Sequence, residues 1–377
     1  MSIFNSRGGE KVIHNDPTLL DSLFHDMESA SELWKPTNYW EVEEKFLMPT
    51  IRREGIAHFR SSYNSAFISF GVTSVPQILT RAFVPKNTTR KILLKVLRML
   101  GLDELLFRGH IQEHARTFAA FQNTCFQLVL QCDPDKEILT IADSGLANPR
   151  DLFSPEGHKE REYTISFLRY FWQYLWLKQF IDFKRIKMIM ELGSGYGGQA
   201  EVLCKLHPHI KYIICDIPPQ VYIAEQYLKS CFPGEVLSYS QTAGQNSIDI
   251  TQLGSRRIMA LAPWQIERIV GKVDLFWNSA SFQEMEPNIV RNYIRLIQPL
   301  TSQYAYLLQL PAGQSIAREK GERYGVLTQT TLEHYIKFFN EFELIQQADA
   351  FIFTGIRYLF CSGYSNMLFH RREHRVP

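Results

Sequence analysis

The sequence predicts an α/β protein: a mostly parallel sheet crossed by helices, preceded by a helical region. Three observations predict it. From residue 187 onward, short apolar runs alternate with amphipathic segments, the texture of strands joined by crossover helices. Upstream, apolar residues recur at spacings of three and four, and strand-like alternation is scarce. Between the two textures, a hydrophobic run enters a glycine cluster, Met188-Ile189-Met190-Glu191-Leu192-Gly193-Ser194-Gly195-Tyr196-Gly197-Gly198, which reads as strand, tight loop and helix. The change of texture divides the chain into a mainly helical amino-terminal substrate-binding or cap region, residues 1–180, and a cofactor-binding domain, residues 181–377.

The elements follow in order. The most apolar stretch, residues 164–183, is interrupted by Arg169, Gln173, Lys178 and Asp182 and reads as a buried helix, since a membrane span needs about 20 mostly apolar residues. Residues 187–191, 211–215, 273–278 and 304–310 read as buried strands, and residues 198–206, 219–230 and 287–299 as helices between them. Residues 342–347 and 358–363 form an expected antiparallel edge pair, and the basic tail from His370 to Arg375 reads as a disordered end.

Composition removes several functions. Forty-one basic against 39 acidic side chains give a net charge of +2, so no global field draws nucleic acid. The amino terminus lacks the apolar run of a secretory signal. Six cysteines (Cys125, Cys132, Cys204, Cys215, Cys231, Cys361) show no CxxC spacing and read as reduced core thiols. These features predict a soluble, cytoplasmic protein.

The glycine loop by itself is ambiguous. Gly193, Gly195 and Gly198 satisfy the dinucleotide pattern GxGxxG, while Glu191, Gly193, Gly195 and Gly197 satisfy the ExGxGxG of S-adenosylmethionine enzymes. Asp216, at the end of the second strand, suits the two ribose hydroxyls of either cofactor. Three observations favour the sulfonium. Glu191 can reach the ammonium of a methionine moiety, whereas a pyrophosphate would be repelled. The sheet begins unusually late for a dehydrogenase, and the one Tyr-xxx-Lys pair, Tyr174 and Lys178, precedes the loop instead of following it.

The chain resembles the sugar O-methyltransferases of bacterial polysaccharide and glycosylated-metabolite clusters. The residues that carry the resemblance are Glu191-Leu192-Gly193-Ser194-Gly195-Tyr196-Gly197, Asp216-Ile217-Pro218 with Ala224 and Tyr227-Leu228, and Phe232-Pro233-Gly234. More discriminating are Leu261-Ala262-Pro263-Trp264-Gln265-Ile266-Glu267 and Asn278-Ser279-Ala280-Ser281-Phe282-Gln283-Glu284-Met285. Coverage is good over residues 185–310, and Tyr39-Trp40, Phe59-Arg60, Asn64 and Phe70-Gly71 look similar to the family's amino-terminal half.

The resemblance implies a Rossmann-like, seven-stranded class I methyltransferase sheet that uses S-adenosylmethionine. Glu191, Gly193, Ser194, Gly195 and Gly197 would hold the methionine end, Asp216 and Ile217 the ribose, and Ala262 and Trp264 the adenine, with Asn278 at the end of the fourth strand. Beyond that strand, Ser281 and Gln283 would face the acceptor, as would His334, and Glu284 is the expected catalytic base. His110 and His114 stand at i,i+4, but no third ligand accompanies them, so no metal site is expected.

The implied partner is a sugar or glycan acceptor. Lys91, Lys95 and Arg98 fall on one helical face of residues 81–100, opposite Leu93, Val96, Leu97 and Leu100. That face reads first as a solvated exterior over a core helix, and alternatively as a contact for a phosphorylated or lipid-linked acceptor or a membrane surface. The competing readings are a small-molecule O- or N-methyltransferase of secondary metabolism, a nicotinamide-dependent oxidoreductase, and a catalytically silent subunit. An oligomer is left open.

Overall fold

The computed structural model describes residues 12–62, 64, 66, 67, 103–350 and 363–373, with the side chains of residues 103–115 excepted. The basic face at Lys91, Lys95 and Arg98, the thiol of Cys361 and the side chains of His110 and His114 lie outside the described residues.

Four helices make up the described amino-terminal part. In α1 (Pro17–Ser29), Asp16 caps the start by accepting from the amides of Thr18 and Leu19, and Leu19, Leu20 and Leu23 are buried. Helix α2 (Asn38–Glu54) ends at Gly55, whose φ of +66° suits glycine. Helix α3 (Asp103–Cys132) buries Phe118, Phe121, Cys125, Phe126 and Val129, one stripe at helical spacing. Helix α4 (Ile165–Leu177) is the apolar stretch expected to be buried. Thr164 caps it, and it packs between α3 and the sheet's own helices.

The sheet begins with β1 (Met188–Leu192), followed by α5 (Gly198–Leu206), β2 (Lys211–Cys215), α6 (Pro218–Cys231) and the two-residue β3 (Val236–Leu237). A short pair, β4 (Ile248–Asp249) and β6 (Ile269–Val270), flanks β5 (Ile258–Leu261) in sequence but forms a separate sheet. Then come β7 (Val273–Ser279), α7 (Pro287–Leu300), β8 (Thr301–Gln309), α8 (Leu332–Phe338), β9 (Phe342–Asp349) and β10 (Ser365–Arg371).

The strand order is β3-β5-β2-β1-β7-β8-β10-β9. All lateral pairs are parallel except those of β10, which runs antiparallel to both β8 and β9. This is the doubly wound sheet the sequence predicts, with one correction: eight strands instead of seven, because the chain after α6 adds β3 as a short edge piece on β5. A second correction concerns the carboxyl end. The strand expected at residues 358–363 lies almost wholly outside the described residues, and the strand that pairs with β9 is β10. The tail expected to be disordered therefore starts inside the sheet. Arg371 donates to the carbonyls of Gln298 and Thr301 and pairs with Glu341.

Side chains of successive strand residues leave on opposite faces. Ile189, Tyr212, Ile214, Leu275, Trp277 and Tyr306 pack toward α4, α5 and α6, in a cluster that also takes in residues from α1, α2 and α3. Met190, Ile213, Phe276, Ala305 and Leu307 pack on the other face, against α7 and α8. The chain winds from β1 to β2 in one direction and reaches β7 in the other. The carboxyl ends of β1, β2 and β7 therefore border the crevice where the order reverses, the place where open α/β sheets bind ligands.

Candidate active site

The loop after β1 is held open by its glycines. Gly193, Gly195 and Gly197 have φ of +79°, +57° and +88°, values that side-chain-bearing residues rarely adopt. Space is short as well: a Cβ on Gly193 would lie 2.3 Å from the Cβ of Ser281. The Gly193 amide donates to Cys215 O at 2.9 Å, which fastens the loop to β2. Within the loop, the Ser194 hydroxyl is buried and has no hydrogen-bond partner among the described residues.

Asp216 stands at the end of β2 and is partly exposed. Its Oδ2 accepts from the Gly195 amide at 2.9 Å and its Oδ1 from the Ile217 amide at 2.8 Å. Burial pushes its pKa to about 7, and the two amides act in the opposite direction. Beside it, β5 ends at Leu261, whose carbonyl accepts from the Asp216 amide at 3.3 Å. Ala262 donates to Gln265 Oε1 at 2.8 Å, and partly buried Trp264 meets Tyr239 edge-on at 6.2 Å between centroids. The glycine loop, Asp216, Ile217, Ala262 and Trp264 are thus brought to the carboxyl ends of three adjacent strands.

Glu191 lies within β1, before the loop. Its carboxyl is buried, accepts from the Tyr212 hydroxyl at 2.9 Å, and is pushed up to about 8 by that burial. Asn278 is fully buried. Its Nδ2 donates to Leu192 O at 2.8 Å, while its Oδ1 accepts from Gln309 Nε2 at 2.6 Å and from the Phe282 amide at 3.1 Å. Each polar atom of that amide side chain has a protein partner, and Asn278 thereby braces the ends of β1, β7 and β8.

The residues after β7 part company. Ser281 is buried against Gly193. Gln283, expected to face the acceptor, is fully buried: its Oε1 accepts from the Leu310 amide at 2.7 Å and its Nε2 donates to the Tyr364 hydroxyl at 2.8 Å. His334 caps α8 through Nδ1, 3.1 Å from the Thr331 amide, which gives it a structural partner at a helix start.

Glu284 is bonded directly by the helical region. Its Oε2 accepts from the Trp40 indole at 2.9 Å, and the Tyr39 side chain also hydrogen-bonds it. Its carbonyl accepts from the Thr37 hydroxyl at 2.8 Å. Burial raises its pKa well above the carboxylate range, against the pull of these donors. Tyr364 lies near enough for both Glu284 and Arg169 to act on its hydroxyl electrostatically. Sequence reasoning gave no role to Trp40, Tyr39, Thr37 or Tyr364. Only the resemblance singled out Tyr39-Trp40, since Trp40 and Glu284 stand 244 positions apart. Among the described residues, no three His, Cys, Asp or Glu side chains gather as metal ligands, and no helix is long and apolar enough to cross a membrane.

Residues 172–243, which run from α4 past Asp216, match a family model described as an O-methyltransferase domain. No curated protein matches the chain. Among solved structures, mitomycin 7-O-methyltransferase is similar at 11% identity, with 55% of each chain covered and a TM-score of 0.36. The pyocyanin biosynthetic protein is similar at 9% identity over 55% of this chain and 56% of its own, with a TM-score of 0.36. Magnesium protoporphyrin IX methyltransferase from Synechocystis PCC 6803, solved with bound S-adenosylmethionine, gives 14% identity, 49% and 69% coverage, and a TM-score of 0.30. The chain spans about half the length of the first two.

Proposed function

We propose that this chain is an S-adenosylmethionine-dependent O-methyltransferase that methylates a sugar hydroxyl. The observation that carries the reading is the crevice at the strand reversal. Positive-φ glycines, an unpartnered buried Ser194 hydroxyl and partly exposed Asp216 stand at the carboxyl ends of β1 and β2, and Glu284 follows β7 under the helical region. The O-methyltransferase domain matched over residues 172–243 supports the same chemistry.

These residues fit the cofactor. The glycine loop lets a ligand approach the backbone, and Ser194 lacks a partner that a methionine carboxylate or amine would supply. Asp216 would accept from ribose hydroxyls, with Ile217 alongside, and the Trp264 indole face suits a purine beside Ala262. When bound, S-adenosylmethionine supplies an activated methyl group on a sulfonium. The protein's part is to align the acceptor oxygen and receive its proton. Glu284 takes that proton onto its carboxylate as the acceptor oxygen becomes methylated. Burial raises its affinity for protons, and the donors on Trp40 and Tyr39 oppose that by favouring the ionised form that has to receive one.

The sugar acceptor is supported by the resemblance of the segments around Trp264 and Glu284. The amino-terminal region, residues 1–180, acts as the cap, a role supported by the bonds from Thr37 and Trp40 to Glu284. A phosphorylated or lipid-linked acceptor rests on the charge pattern of residues 81–100 alone. A second reading, a planar aromatic acceptor, is favoured by the rings of Tyr39, Trp40 and Tyr364 near Glu284.

The first test is calorimetric titration of S-adenosylhomocysteine into the protein, with NAD alongside and Asp216→Ala as the control. Micromolar binding of S-adenosylhomocysteine alone, lost in the variant, is expected; a preference for NAD would refute the reading. Labelled methyl transfer to free sugars, nucleotide sugars and phenols then separates the two acceptors, and binding without any transfer would indicate a silent subunit.

A further inference from the structure

We propose that Trp40 is a positioning residue for Glu284: its indole N–H holds the carboxyl in the orientation from which it receives the acceptor's proton. The inference rests on the reading of Glu284 as the base, and adds to it a residue from the amino-terminal region.

The geometry is specific. Trp40 Nε1 lies 2.9 Å from Glu284 Oε2, and both side chains are buried, so bulk water does not compete for the bond. Thr37 occupies the N-cap position of α2 but makes no capping bond. Its hydroxyl points away from the helix and donates to Glu284 O at 2.8 Å. The first turn of α2 therefore grips one residue twice, by backbone and by side chain.

That turn is itself fixed to the loop after β8. Asn38 Nδ2 donates to Gly325 O at 2.8 Å and Asn38 Oδ1 accepts from the Gly321 amide at 2.8 Å. Arg323 meets Glu43 with a two-bond fork of 2.6 and 2.9 Å. Trp40 thus reaches Glu284 from a turn that is bonded on its other side to residues 321–325.

A donor aimed at a carboxylate favours the ionised form, while burial favours the protonated one. Removing the indole N–H would leave the carboxyl to the Tyr39 donor alone, less closely oriented and more firmly protonated. A merely structural Trp40 would contribute packing, which phenylalanine largely retains.

The test uses the full chain with S-adenosylhomocysteine and glutamate labelled with carbon-13 at the carboxyl, the Glu284 resonance being identified by its loss in Glu284→Gln. In Trp40→Phe the Glu284 titration midpoint should rise by about one pH unit, with melting temperature and S-adenosylhomocysteine affinity retained. An unchanged midpoint in a folded variant overturns the proposal. Should Trp40→Phe fail to fold, the wild-type indole nitrogen-15 resonance of Trp40 must titrate with the Glu284 midpoint, and a flat resonance overturns it equally. Full methyl transfer by Glu284→Gln would overturn the base assignment on which the inference stands. An inactive Glu284→Gln beside an unchanged midpoint in Trp40→Phe overturns the role of Trp40 alone.

Discussion

Glu191 holds its proton far above the pH at which a solvated glutamate loses it, and that has a measurable consequence. Burial lifts it from an ordinary value of 4.5 to about 8. Between those limits the folded protein binds a proton that the unfolded chain has released, so stability falls as pH rises through that window. Asp216 adds to the same slope up to about pH 7. The melting temperature of the ligand-free protein is expected to fall between about pH 5 and pH 8, and Glu191→Gln should flatten the decline; an equal slope in the variant would show that Glu191 is not its source. Residues such as Asp216 were legible in the sequence because their position follows from local order, strand then turn. The bracing contacts of Asn278 and Gln283 were not. Their amides are satisfied by Gln309 and Leu310, 31 and 27 positions away, and no local pattern tells a buried brace from a ligand contact.

At the scale of elements, the joint between the helical region and the sheet is polar. The Arg60 guanidinium is fully enclosed. It pairs with Asp143 through bonds of 2.9 and 2.7 Å and also donates to Thr164 Oγ1, which caps α4, and to the Tyr227 hydroxyl on α6. Burial would raise the Asp143 carboxyl, but the Arg60 guanidinium beside it holds it below the usual carboxylate range. Removing one partner of such a pair leaves a buried charge, which costs about 3–5 kcal/mol. Arg60→Met should lower the urea unfolding free energy by about that much, and a loss below about 1 kcal/mol would mean that the site admits water. The strands β1, β2, β7 and β8 were legible because strands covered on both faces read as continuous apolar runs. Strand β10 escaped because Asn366 interrupts its apolar pattern, yet that side chain is satisfied by the Tyr306 hydroxyl at 2.7 Å. The apolar residues 358–360 just before it drew the expected strand upstream.

Across the whole molecule, one apolar cluster extends from Leu19 of α1 through Phe126 of α3 and Phe167 of α4 to Tyr212, Trp277 and Leu368 of the sheet. The change of texture near residue 180 marks a change of architecture without separating two cores. A fragment of residues 181–377 would expose the sheet face that α4 covers. It is expected to show no cooperative thermal transition, whereas a sharp transition would establish an autonomous domain. The interleaving of β10 between β8 and β9 also bears on how the protein is made. Strand β9 leaves the ribosome before β10 yet has no place in the sheet until β10 arrives, so the nascent chain carries an unfilled slot beside β8 until β10 has emerged. A polypeptide released before that point would present the bare edge of β8, an invitation to intermolecular pairing, and its fate would be decided by chaperones and proteases.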